Sequence, residues 1–226
     1  MTQVETAASG PAQVTDGIAD WLQLVERTLQ GLNHALNNRI GSLAALVELY
    51  HLGDLEGDPS EFQTLETELR RLSECNHVVR LLRRDSGVGE EALLMSDVLS
   101  DALAVQRFAT DGRAATVAVT PAPHAEPVRT ERWALLRVLV LLLDEIVRMA
   151  TGIGSSVEVA TTSDEERLTL VFRVRRLGDE LPEASAAPYA RLLAQSLGSS
   201  VSADAGALTL CVPTLKARRA SGLPLR

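Results

Sequence analysis

Four histidines occur in the chain, and His34 has the most informative neighbours. Leu29, Leu36, Leu43 and Tyr50 mark one seven-residue phase, and His34, two residues before Leu36, falls nearly opposite that apolar stripe. The spacing predicts a solvent-facing imidazole halfway along a rigid helix. A neutral imidazole offers a nucleophilic ring nitrogen and titrates near neutral pH. Its helical neighbours are Gln30, Gly31, Asn37 and Asn38, with Gly41 seven residues on. Glycine costs about 1 kcal/mol relative to alanine inside a helix, so two glycines flanking this histidine imply that something approaches the backbone closely. Taken alone, an exposed histidine is most simply a surface residue without a role. His51, His77 and His124 are read that way. Cys75 and Cys211 lack metal-ligand spacing and read as reduced thiols.

The elements that position His34 follow from periodicity. Leu22, Val25, Leu29, Leu32, Leu36, Ile40, Leu43, Val47 and Tyr50 recur at steps of three or four, which predicts one helix over 16–52. Thr15 or Asp16 caps its start and Gly53 ends it, and residues 1–14 are expected to be a disordered lead-in. Residues 53–59 carry turn chemistry. Ser60 with Gln63 forms a capping box for a second helix to about Arg84, with Phe62, Leu65, Leu69, Leu72, Val79 and Leu82 inward. A hairpin spanning 15–85 still has apolar surface to spare, so a homodimer closing a four-helix bundle is the economical solution.

Beyond a breaker-rich linker at 85–89 the pattern becomes α+β. Helices are expected over 96–108, 131–150 and 188–197, and strands over 114–119, 156–161, 168–174, 201–203 and 207–212. The basic tail 215–226 is expected to fray. The 226 residues suffice for a sizeable core, and leucine, valine and alanine must fill it because only 3% of the chain is aromatic. The net charge of −8 argues against nucleic acid as a partner. No apolar run approaches the roughly 20 residues of a membrane span, and no signal peptide is visible. A cytoplasmic location is expected.

Residues 31–49, GLNHALNNRIGSLAALVEL, resemble the phospho-acceptor segment of sensor histidine kinases, in the subgroup that reads G-L-A-H-D-F-N-N-x-L-x-x-I-x-x-x-x-E-L. Gly31, Leu32, His34, Asn37, Asn38, Glu48 and Leu49 match in place. The family places an acidic residue after its histidine to accept the imidazole proton as phosphate arrives from ATP. Ala35 stands there in this chain. The resemblance therefore implies a His34 suited to exchanging phosphate with a partner and poorly suited to autophosphorylation. Asn38 keeps the amide that in the family orients water or a phosphoryl oxygen.

Residues 92–214 resemble the ATP-binding domain of the same kinases with its ligand groups replaced. On the helix where the family has N-L-x-x-N, Leu141 and Glu145 replace the two asparagines, with Asp144 a substitute if the register shifts by one. The family's V-x-D-x-G-x-G-I loop reads here from Val174 to Leu181. Arg176 replaces the adenine-binding aspartate, Gly178 is retained, and Glu180 replaces the second glycine. Pro182 to Pro188 leads straight into the next helix, so the lid and phosphate cradle are expected to be absent.

The implied fold is α+β, a long antiparallel hairpin followed by a kinase-type sandwich without its lid. The implied function is histidine phosphotransfer in a two-component phosphorelay. His34 would exchange phosphate with receiver-domain aspartates of response regulators, without ATP. Gly31, Asn37, Arg39 and Gly41 would shape the docking surface, with Arg39 neutralising phosphate. No cofactor is expected on this chain, because the receiver brings its own Mg²⁺. The alternatives are a pseudokinase scaffold that only binds a regulator or kinase, and an ATP-dependent kinase with an unusual site.

Overall fold

The computed structural model describes residues 11–52, 59–83, 89–110, 116–122, 125–150, 155–175 and 188–220. Helix α1 runs over Pro11–Leu52, 42 residues, about 63 Å at 1.5 Å per residue. It starts at Pro11, earlier than the cap expected at Thr15 or Asp16, so residues 11–14 of the supposed lead-in are helical. Proline fits a first helical turn, where its missing N–H has no intrahelical partner to lose. Helix α2 covers Pro59–Leu82, which places Ser60 inside the helix rather than at its cap. The two legs are clamped where Arg39 Nη1 meets both carboxylate oxygens of Glu68 at 3.2 Å. The turn expected at 53–59 lies, up to residue 58, outside the described residues.

The second half is the expected α+β sandwich. Helices α3 (Met95–Ala109), α4 (Arg132–Met149) and α5 (Pro188–Ser196) lie on a five-stranded sheet. Its strands are β2 (Thr116–Thr120), β4 (Ser156–Ser163), β5 (Arg167–Arg175), β6 (Ser200–Asp204) and β7 (Ala207–Pro213). They are ordered β2-β4-β5-β7-β6, with β2 parallel to β4 and the rest antiparallel. Alternation does what the period of two requires: Val157 and Val159, Leu168, Leu170, Phe172 and Val174, and Leu208, Leu210 and Val212 are all buried. Helix α4 is apolar on nearly every face, from Leu135 to Leu143, because it is buried from more than one side.

Three short elements were not expected. Strands β1 (Glu91–Leu93) and β3 (Val128–Thr130) pair antiparallel in a separate ribbon. The tail expected to fray instead forms helix α6 (Leu215–Ala220). Lys216 Nζ lies 2.8 Å from Glu165, and Arg218 is paired with Glu90 at 2.8 Å and bonded to the carbonyl of Leu197. Ion pairs to distant residues, not local periodicity, fasten this helix.

The hairpin and the sandwich share one core. Leu24 and Leu32 of α1 and Cys75, Val78 and Leu81 of α2 belong to the same buried cluster as the sandwich helices and strands. The molecule is thus three layers deep: sheet, then α3, α4 and α5, then the hairpin. Trp21 of α1 sits beneath the Arg137 guanidinium of α4, 5.2 Å from ring centroid to carbon.

Candidate functional site

Helix α1 shows its faces to different neighbours. Leu24, Thr28, Gly31 and Leu32 are buried, with Ala35 and Leu36 partly so, while Asn33, His34, Asn37, Asn38, Gly41 and Ser42 are exposed. His34 faces water as expected, but the buried face of α1 is not the stripe through Leu29 and Tyr50, which are 50% and 71% exposed; Phe62, Leu65 and Leu69, expected inward on α2, are exposed as well. Asn38 Nδ2 lies 3.3 Å from His34 Nε2. The amide nitrogen can only donate, so in this contact Nε2 is the acceptor. Ser42 Oγ in turn donates to the Asn38 carbonyl at 3.0 Å.

The two glycines separate. Gly31 is buried, and a Cβ built on it would lie 2.1 Å from the carbonyl oxygen of Phe108. The close approach inferred at this glycine is made by the chain's own α3, so Gly31 is not open for partner docking. Gly41 is exposed, with no atom within 4 Å of such a Cβ. Arg39 also departs from expectation. It is bound to the buried Glu68, which Arg71 engages too at 2.8 Å. Five residues beyond His34, it lies about 140° around the helix from it, on the hairpin side, where it cannot neutralise phosphate on the imidazole. Of the expected site residues, His34, Asn37, Asn38 and Gly41 share the exposed flank.

On α4, Asp144 is buried and fully engaged. Its Oδ2 is 2.9 Å from Arg27 Nη2 of α1 and 3.2 Å from Arg148 Nε, and its Oδ1 is 3.4 Å from Gln106 Nε2. Glu145 Oε2 pairs with Arg148 Nη2 at 2.6 Å. Burial pushes the Glu145 carboxyl above its usual range; Arg148 opposes that shift, and Asp144 and Asp20 add to it. The two carboxylates that stand at the family's asparagine positions are thus both engaged by guanidinium groups. Arg176, Gly178, Glu180 and the 182–187 stretch lie outside the described residues. Among the described residues no group of three His, Cys, Asp or Glu could hold a metal ion. No described helix is long and apolar enough to cross a membrane.

Sequence reasoning missed Arg27, Gln106 and the His77 network. His77 Nε2 lies 2.9 Å from Asp101, whose other oxygen takes Arg132 at 2.7 Å, which ties α2 to α3 and α4. Arg27 sits seven residues before His34, so its side of the helix was readable. Its partner, 117 residues away, was not.

Three solved chains similar to this one carry the word kinase in their descriptions. The histidine kinase AdeS of Acinetobacter baumannii is 14% identical with a TM-score of 0.43, over 80% of this chain and 98% of its own. The mycobacterial sensor histidine kinase MprB is 17% identical with a TM-score of 0.41, over 55% and 97%. The catalytic domain of the histidine kinase ThkA is 9% identical with a TM-score of 0.46, over 56% and 98%. Likeness this remote concerns the fold alone, and no residue's role follows from it. No protein-family model and no curated protein matches the chain.

Proposed function

We propose that the protein is a histidine phosphotransferase of a two-component phosphorelay. The observation that carries this reading is the exposed His34 imidazole with the Asn38 amide on its Nε2. In the neutral ring the Nε2 lone pair would be the nucleophile. In the forward step this lone pair attacks the phosphorus of a receiver's aspartyl phosphate. The N–P bond forms, the P–O bond breaks, and the aspartate leaves as a carboxylate. The reverse step passes the phosphoryl group to a second receiver. The receiver would bring the Mg²⁺ that shields the phosphoryl charge. Asn38 would swing its amide to a phosphoryl oxygen, and the open backbone at Gly41 would admit the partner's surface.

The rest of the reading concerns assembly. Leu22, Leu29, Ile40 and Val47 on α1 and Phe62, Leu65 and Leu69 on α2 are exposed. A second copy burying them in a four-helix bundle would account for that surface. The test is to mix purified protein with a phosphorylated receiver domain. Acid-labile label on the chain, abolished in His34→Ala, is the expected result. Receiver binding without label transfer, unchanged in His34→Ala, would replace this reading with a binding-only scaffold.

A further inference from the structure

We propose that Asn33 and Asn76 form a layer of amides across the two-copy bundle, and that this layer aligns one copy on the other. The inference rests on the bundle proposed above and is independent of any chemistry at His34.

The four α1 and three α2 apolar side chains that the bundle would cover are between 38% and 61% exposed. Covering them in two copies takes on the order of 1,000 Å² out of water, the scale of a stable interface. Each apolar run is interrupted by an amide. On α2, steps of three and four lead from Phe62 through Leu65, Leu69 and Leu72 to Asn76 and then Val79. On α1 they lead from Leu29 to Asn33, and on to Leu36 and Ile40. The residues just before the two amides, Leu32 and Cys75, are turned into the chain's own core, and Asn33 and Asn76 are left outside it.

The two amides also stand at one height. Arg39 and Glu68 clamp the antiparallel legs. From that pair Asn33 lies six residues back along α1 and Asn76 eight residues on along α2, about 9 Å and about 12 Å at 1.5 Å per residue. Between the legs near this height is an open groove of about 490 Å³, lined by Leu36, Leu72, Ser73, Cys75, Asn76 and Val79. A side chain of a second copy seated in it would press on Asn76. A buried amide is costly unless its groups are bonded. It both donates and accepts, and a twofold axis turns the same surface of one copy toward the other. The amides of one copy therefore complement those of the next, whereas a slip of one turn would set them against leucine. Such a layer fixes register at a cost in affinity, because leucine there would pack better.

The experiment follows dissociation of the full chain by analytical ultracentrifugation over a dilution series, with circular dichroism as a check of folding. The native protein is expected to reach the mass of two chains. Asn33→Leu with Asn76→Leu should hold two copies together at least tenfold more tightly. Asn76→Asp, the same shape with a charge, should weaken them at least tenfold. Unchanged or weaker association in the folded double variant, or unchanged association in folded Asn76→Asp, would overturn the amide layer and leave the bundle standing. A native protein that keeps the mass of one chain at every concentration would overturn both.

Discussion

A carboxyl that titrates out of its usual range is a stability statement about one residue. Glu145 lies mostly out of water, its side chain 19% exposed, and burial raises its pKa. The folded state therefore binds this proton more tightly than the unfolded chain does. The corresponding stability is fully present below the ordinary value of 4.5 and is lost as pH rises through the higher folded value. Replacing Glu145 with Gln removes that dependence. Urea midpoints of native and Glu145→Gln protein, measured across the weakly acid range, should show the native chain losing ground to the variant as pH increases. A constant difference would mean the carboxyl titrates as it does in the unfolded chain. Neither this environment nor the use of Asp144 was legible from residue types, because the burial of Glu145 and the guanidinium groups of Arg27 and Arg148 around Asp144 appear only once the layers pack. The exposure of His34 was legible, but the face of α1 that is buried was not, because Leu24, Thr28 and Gly31 are covered by the second half of the chain while Leu29 and Tyr50 are left open.

Between elements, the two glycines of α1 make a controlled pair. Each costs its helix about 1 kcal/mol relative to alanine. Gly41→Ala meets open space and should stabilise the protein by about that amount in urea denaturation. Gly31→Ala gains the same helix propensity but drives a methyl into backbone, the Phe108 carbonyl, which cannot move aside as a side chain could. It should be net destabilising. Opposite signs for chemically identical substitutions are the expected outcome, and equal signs would mean that α1 does not press on α3 at Gly31. The helices, the hairpin and the longer strands were legible in the sequence because a period of 3.6 or 2 accumulates over their length. Three-residue strands such as β1 and β3 have no room to show a period. Helix α6 reads as a basic tail until Glu90 and Glu165 are brought to it. The close approach at Gly31 was legible, but not that α3 makes it, because Phe108 lies far along the chain.

For the molecule as a whole, the exposed leucines of the hairpin predict association. Leu29 is half exposed at 50%. Leu29→Glu should leave circular dichroism unchanged while light scattering falls from the mass of two chains to that of one. A native protein that already scatters as one chain of 24.3 kDa would remove the bundle. The continuous core has its own consequence. The hairpin and the helix layer each carry one of the chain's two tryptophans, Trp21 in α1 and Trp133 in α4. With one core joining the hairpin to the helix layer, heat should melt both in a single cooperative transition, and the two indoles should report the same midpoint.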